Sequence, residues 1–148
     1  MYSKIFHSTI EDRLSSWLEL RKKLDVSETP LEDVWEFWRQ SPFIPYNKNI
    51  EPFNPKSWPN PWAIITENRY DDFTRALMIG WTLKLTKKFA NSKIELRRVV
   101  DKDKDSHYNV IYIDEEWVIN YSDNGPVQSK SMPISIYLEN VIELETPR

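Results

Sequence analysis

The chain has 148 residues, enough for one domain with a sizeable core, and its 40% hydrophobic and 29% charged composition marks a globular protein. Two glycines and no cysteine exclude glycine-rich phosphate cradles, disulfides, thiolate metal sites and thiol nucleophiles. A net charge of −3 supplies no whole-molecule attraction to nucleic acid or to an anionic membrane.

The opening residues, MYSKIFHSTIEDR, lack the apolar core of a signal peptide. Arg75 and Lys84 interrupt the best apolar run, so no membrane span is expected. A soluble protein of the cytoplasm or of a virion is predicted. Ser8 and Glu11 form a capping box, and Ile10, Leu14, Trp17, Leu18, Arg21 and Leu24 then share one helical face. Thr29 as N-cap, Pro30 at the first helical position and Glu32 start a second helix, whose stripe is Leu31, Val34, Trp35 and Trp38 and whose end is Pro42. Residues 1–40 are thus two amphipathic helices.

Residues 41–61, SPFIPYNKNIEPFNPKSWPNP, carry prolines that remove amide donors and restrict the preceding residues. An ordered loop is expected, pinned by Phe43, Tyr46, Phe53 and Trp58. The same aromatics, with Trp62, also fit a surface that meets a protein partner. Both readings are open at this point.

One long buried helix is expected from Arg69 to Phe89, with Asp71 and Asp72 in its first turn and Lys84, Lys87 and Lys88 near its end. Its apolar character spreads around most of the circumference, which signals burial. Gly80 inside it costs about 1 kcal/mol relative to alanine and so points to close approach by another element.

Beyond Phe89 the period changes. IELRRVV, HYNVIYI and EWVINY read as short strands, with DEE as a hairpin between the last two and SDNGPV as a further turn. Residues 133–144 fit either a strand or a short helix. Helices followed by an antiparallel sheet define a single α+β domain, with N-terminal helices and a buried central helix on a small sheet.

The alternating Asp101, Asp103 and Asp105 begin like a calcium loop, but Ser106 replaces the turn glycine and Tyr112 the bidentate glutamate, so a solvated turn is expected. Lys84, Lys87, Lys88, Lys93, Arg97 and Arg98 are explained by a helix end and a strand face, and nucleic-acid binding is not expected. With only His7 and His107 as imidazoles, neither a metal site nor a cofactor is expected.

The order NRYDDF opening a buried helix, then HYNV opening a strand, then WVINYSDN in the next, resembles the transglutaminase-like and bacterial transglutaminase-like cysteine peptidase families of the papain-like fold. The resemblance covers about residues 62–127 and makes residues 62–148 a transglutaminase-like core. It implies a nucleophilic cysteine at the helix start, a histidine at the next strand's start and an orienting Asp or Asn on the strand after. His107 matches the histidine, Asn120 or Asp123 the orienting group, and Tyr70 stands at the cysteine position. A phenol with pKa near 10 is no thiolate, so these residues are read as a vestigial site with no catalysis.

The expected function is therefore a non-enzymatic binding or structural module. A hydrolase or acyltransferase with a relocated nucleophile, Thr66 or Thr74, is the alternative. The Lys-, Asn- and Ile-rich style is similar to that of small tailed-bacteriophage proteins, which implies a virion or assembly role with other virion subunits as partners.

Overall fold

The computed structural model of the chain describes residues 3–148. Its helices are α1 (Ser3–Phe6), α2 (Ile10–Leu24), α3 (Pro30–Trp38), α4 (Pro61–Glu67) and α5 (Asp72–Lys84). Its strands follow as β1 (Ile94–Asp101), β2 (Ser106–Ile113), β3 (Trp117–Ser122), β4 (Gly125–Gln128) and β5 (Ile136–Glu143). The fold is α+β, with one antiparallel sheet in the order β4-β3-β2-β1-β5. No helix of the described residues is long and apolar enough to cross a membrane.

The cap of α2 is Thr9, not Ser8: the Thr9 hydroxyl accepts from the Asp12 amide at 3.1 Å, while Ser8 donates back to the Ile5 carbonyl. A short α1 precedes it and holds Ser8 in that role. The buried face of α2 is Trp17, Leu20 and Leu24, whereas Ile10 and Leu18 are exposed. Its inward stripe takes in Leu20, which the predicted face omits, and Arg21 lies over the Trp17 ring, 4.2 Å from its centroid.

Helix α3 starts at Pro30 as expected, but the Thr29 side chain makes no cap bond and Glu32 closes no box. Asp33 ties the first turn to the preceding loop by accepting from the hydroxyls of Ser27 (2.5 Å) and Thr29 (3.4 Å). Phe37 joins Val34, Trp35 and Trp38 on its buried face.

The predicted long helix over 69–89 is shorter, Asp72–Lys84, and a separate helix that the prediction lacked precedes it. Asn60 caps α4 by accepting from the Ala63 amide at 2.8 Å, with Pro61 at the first helical position. Asn68 ends α4 in the left-handed conformation at φ 61°, a terminus that asparagine tolerates. Tyr70 then pairs in extended form with the loop: its amide donates to the Pro42 carbonyl at 3.1 Å and its carbonyl accepts from Ile44 at 2.9 Å. Asp71 caps α5, and the helix stops at Lys84 rather than Phe89. The tight turn after it is held by Thr86, whose hydroxyl donates to the Leu83 carbonyl at 2.6 Å and accepts from the Phe89 amide at 3.1 Å.

Within α5, every residue from Phe73 to Leu83 except Arg75 is buried. Helices α2 and α3 pack on one side of it and strands β1 and β2 on the other. Each fully buried Leu, Ile or Met there contributes roughly 1.5–3 kcal/mol. Gly80 faces the sheet: a Cβ at that position would overlap Leu144 and lie 2.9 Å from Ile111. Close approach of the last strand's end explains the glycine.

The turn at residues 114–116 forms the expected hairpin, with Asp114 and Glu115 at φ 52° and 59°. Residues 136–143 resolve as a strand that pairs antiparallel with β1. Between β4 and β5 the chain crosses the outer, helix-free face of the sheet. Met132 and Ile136 there pack on a second small core of Val99, Val110, Tyr112 and Val118.

Candidate functional site

The first turn of α5 follows directly on Tyr70, the residue that the sequence resemblance matches to a nucleophile. It carries two carboxylates with different tasks. Asp71 is buried and fully engaged, its Oδ1 accepting from the Thr74 amide (2.8 Å) and hydroxyl (2.6 Å) and its Oδ2 from the Asn47 amide (2.9 Å). It fastens the proline-rich loop to the helix start. Asp72, about 100° further round the helix, faces the sheet.

Asp72 Oδ2 accepts from both the backbone amide and the side-chain Nδ2 of Asn109 on β2, each at 3.0 Å. Its Oδ1 accepts from Asn120 Nδ2 on β3 at 3.1 Å. Asn120 Nδ2 also donates to the Asn109 carbonyl at 2.8 Å, which closes the cluster. Asn120 reaches this position because its backbone is left-handed, φ 74°, where the regular β2–β3 pairing has already stopped at Ile119. An asparagine accepts that conformation more readily than most residues.

Arg75, one turn further along α5, donates to Ser41 through Nε (3.1 Å, to the hydroxyl) and Nη2 (3.2 Å, to the carbonyl). Burial pushes its guanidinium below the ordinary value, and the carboxylates of Asp72 and Asp123 oppose that shift. Asp123 itself lies exposed in the β3–β4 turn, so Asn120 is the residue that joins the cluster.

Tyr70 and His107, the two other positions matched to the family, sit in separate surroundings. The Tyr70 ring is fully buried among helices, with centroids 5.5 Å from Trp38 and 5.9 Å from Phe6. Its hydroxyl has no hydrogen-bond partner. Burial pushes the phenol far above its ordinary pKa, with Arg13 opposing and Glu67 adding to the shift. His107 is half exposed at the start of β2, the middle strand of the sheet, with Nε2 3.5 Å from Glu139 Oε2 on β5. The residues that meet across helix, second strand and third strand are Asp72, Asn109 and Asn120, two positions later than Tyr70 and His107 for the first two.

This arrangement holds neither a nucleophile nor a base next to one. Asp72 accepts three donors, and two carboxamides cannot relay a proton at neutral pH. Thr74 is fully buried with its hydroxyl given to Asp71. Thr66 donates to the Trp62 carbonyl at 2.9 Å on the exposed side of α4, away from the cluster.

The aromatic loop divides in two. Phe53 and Trp58 turn inward, with ring centroids 5.7 Å from Phe73 in both cases and Trp58 also 5.9 Å from Trp81. Phe43, Tyr46 and, on α4, Trp62 are exposed. Most basic residues between Lys84 and Arg98 are occupied one by one rather than pooled. Lys84 donates to the Ala90 and Ser92 carbonyls, Lys88 to the Ser27 carbonyl, and Arg97 pairs with Glu95 while Arg98 pairs with Glu139. Asp101, first of the three alternating aspartates, caps its own turn by accepting from the amides of Asp103 and Lys104. Among the described residues no group of three or more His, Cys, Asp or Glu is placed to hold a metal ion.

No protein-family model matches the chain, and no curated protein is similar to it.

Proposed function

We propose that the chain is a non-enzymatic protein-binding module on a transglutaminase-like scaffold in which a structural clamp lies two residues beyond the positions matched to the nucleophile and the histidine. The observation that carries this reading is the Asp72–Asn109–Asn120 cluster. It joins helix start, second strand and third strand beside, not at, Tyr70 and His107, the positions matched to the family's thiolate and imidazole. The groups here hold the scaffold together and leave no reactive atom free.

The partner-facing surface in this reading is formed by Phe43, Tyr46 and Trp62, with Phe53 and Trp58 as the internal anchors that position it. A tailed-phage virion or assembly subunit is the partner that the sequence style suggests. The test has two arms. A fluorophosphonate probe is expected to leave the protein unlabelled, and labelling lost in Thr66→Ala or Thr74→Ala would overturn the non-enzymatic reading. Affinity capture from particles is expected to retain one defined subunit with the parent chain and lose it with Phe43→Ala/Tyr46→Ala/Trp62→Ala. Capture that ignores the triple substitution removes this surface from the reading.

A further inference from the structure

A cleft opens between the start of α3, the turn that follows α5 and the β2–β3 hairpin, with a volume of about 460 Å³. Small-molecule sites fall in the range of roughly 300–1,000 Å³. Its apolar surface comes from Leu31, Phe89, Ile113 and Trp117. Leu31, Phe89 and Trp117 pack against the main core yet stay partly exposed, and they line the cleft with what the core leaves uncovered.

The ionisable groups around this apolar surface are carboxylates with one exception. Glu28 precedes α3, Glu32 lies in its first turn, and Asp114 and Glu116 come from the hairpin. The exception is Lys88, whose ammonium donates to the Ser27 carbonyl at 3.0 Å. Lys93 donates its backbone amide to Asp114 (2.8 Å), but its ammonium goes to Glu115 and Glu95 (3.4 and 3.9 Å). The side chains of Glu28, Glu32 and Glu116 have no hydrogen-bond or ion-pair partner among the described residues. The helix dipole accounts for an acid in the first turn of α3, but not for Glu116 on the hairpin.

This combination selects its occupant. An anion is repelled, and a neutral molecule leaves the carboxylates uncompensated. A bare metal ion needs several oxygens converging within about 2.6 Å, and among the described residues no three acidic groups are placed for that. An aromatic cation satisfies both halves of the cleft. Its body covers Leu31 and Ile113, the rings of Phe89 and Trp117 attract positive charge through their faces, and an ammonium donates charge-assisted hydrogen bonds to the carboxylates at the rim.

We propose that the cleft binds a small organic cation, an aromatic body carrying one protonated amine. The site is separate from the Phe43–Tyr46–Trp62 surface and does not rest on it.

The probe is tryptamine at neutral pH, followed by calorimetry and by amide chemical shifts. Saturable binding that weakens with salt is expected, with shifts confined to residues 28–32, 88–89 and 113–117. Tryptophol, which replaces the amine by a neutral hydroxyl, is expected to bind at least tenfold more weakly, and indole-3-acetate not at all. Ethylamine, a cation without the aromatic body, is expected not to displace tryptamine at equal concentration. Glu28→Gln/Glu32→Gln/Glu116→Gln should bring tryptamine down to the affinity of tryptophol, and Glu116→Gln alone should weaken it several-fold should the triple variant fail to fold. Phe43→Ala/Tyr46→Ala/Trp62→Ala is expected to bind tryptamine as the parent does. The proposal is overturned if tryptamine shows no saturable binding, or if the glutamine variants bind it unchanged. Equal binding of tryptophol would remove the role of charge, and displacement by ethylamine would reduce the cleft to a plain acidic patch; either result overturns it as well.

Discussion

Helix α5 is fastened at its two ends by polar groups of opposite character. At its start, Asp72 brings a partly exposed charge to two asparagines and ties the helix to β2 and β3. Near its end, the fully buried Thr82 is a neutral hub. Its hydroxyl accepts from the indole N–H of Trp17 (2.9 Å) and of Trp38 (3.1 Å) and donates to the Met78 carbonyl (2.5 Å). The hub joins α5 to α2 and α3, and the clamp joins it to the sheet. The difference teaches how one helix is fastened to two different layers. The dry neutral hub ties the helix to its neighbouring helices, whereas the charged clamp ties the helix start to two strands of the sheet.

Removing the hub is expected to have the larger effect. Thr82→Val keeps shape but leaves two buried indole donors without an acceptor, at roughly 1–3 kcal/mol each. A loss of about 3 kcal/mol in urea unfolding is expected, whereas Thr82→Ser, which retains the oxygen, is expected to lose only about 1 kcal/mol for its methyl group. Equal losses in the two variants would show that packing, not the hydroxyl, matters at this position. Asp72→Asn should cost less, about 2 kcal/mol, since it removes the charge from three hydrogen bonds but keeps one acceptor oxygen. The contrast is sharpened by amide exchange. The Asp72 variant is expected to open locally at residues 71–75, 109 and 120, while the Thr82 variant opens the whole domain. Uniform loss of protection in Asp72→Asn would break the distinction.

Much of the architecture was legible because local chemistry announces it. Pro30 after Thr29 locates α3, the β-branched runs locate β1 to β3, and Gly80 marks close packing because nothing else repays its cost in a helix. Asn60–Pro61 carries the same start signal as Thr29–Pro30, yet it was hidden inside a proline-rich run that reads as loop. The start of α5 was placed too early because Arg69 and Tyr70 have no helix-breaking chemistry. Tertiary pairing of Tyr70 with the loop makes them extended. Its end was placed too late because Lys87 and Lys88 suit a helix terminus, although Thr86 turns the chain before them. The clamp was the least legible feature. Asp72 lies 37 residues from Asn109 and 48 from Asn120, and the left-handed backbone that delivers Asn120 leaves no periodic trace. The Thr82 hub is equally non-local, its indole partners lying 65 and 44 residues away.

The smallest expected effect belongs to Tyr70, the residue that stands between the two anchors in kind: as buried as the hub, yet without the partner that both the hub and the clamp possess. Tyr70→Phe removes an unsatisfied hydroxyl and keeps the ring contacts with Phe6 and Trp38, so stability at pH 8 should stay equal or rise by less than about 1 kcal/mol. Alkaline pH separates the two proteins. In the unfolded chain the phenol ionises near about pH 10, whereas in the folded chain burial holds it protonated well above that. The raised folded value contributes stability below about pH 10 that is lost as pH rises beyond it, by up to roughly 1.4 kcal/mol per pH unit from this one group. Unfolding free energy measured from pH 8 to about pH 11.5 should therefore fall less steeply in Tyr70→Phe than in the parent. The slopes of Tyr112 and Tyr121, also raised by burial, are common to both proteins and cancel. Parallel pH profiles would mean that the phenolate finds solvent or a cation in the fold, and the enclosed, partnerless setting of Tyr70 would have to be abandoned.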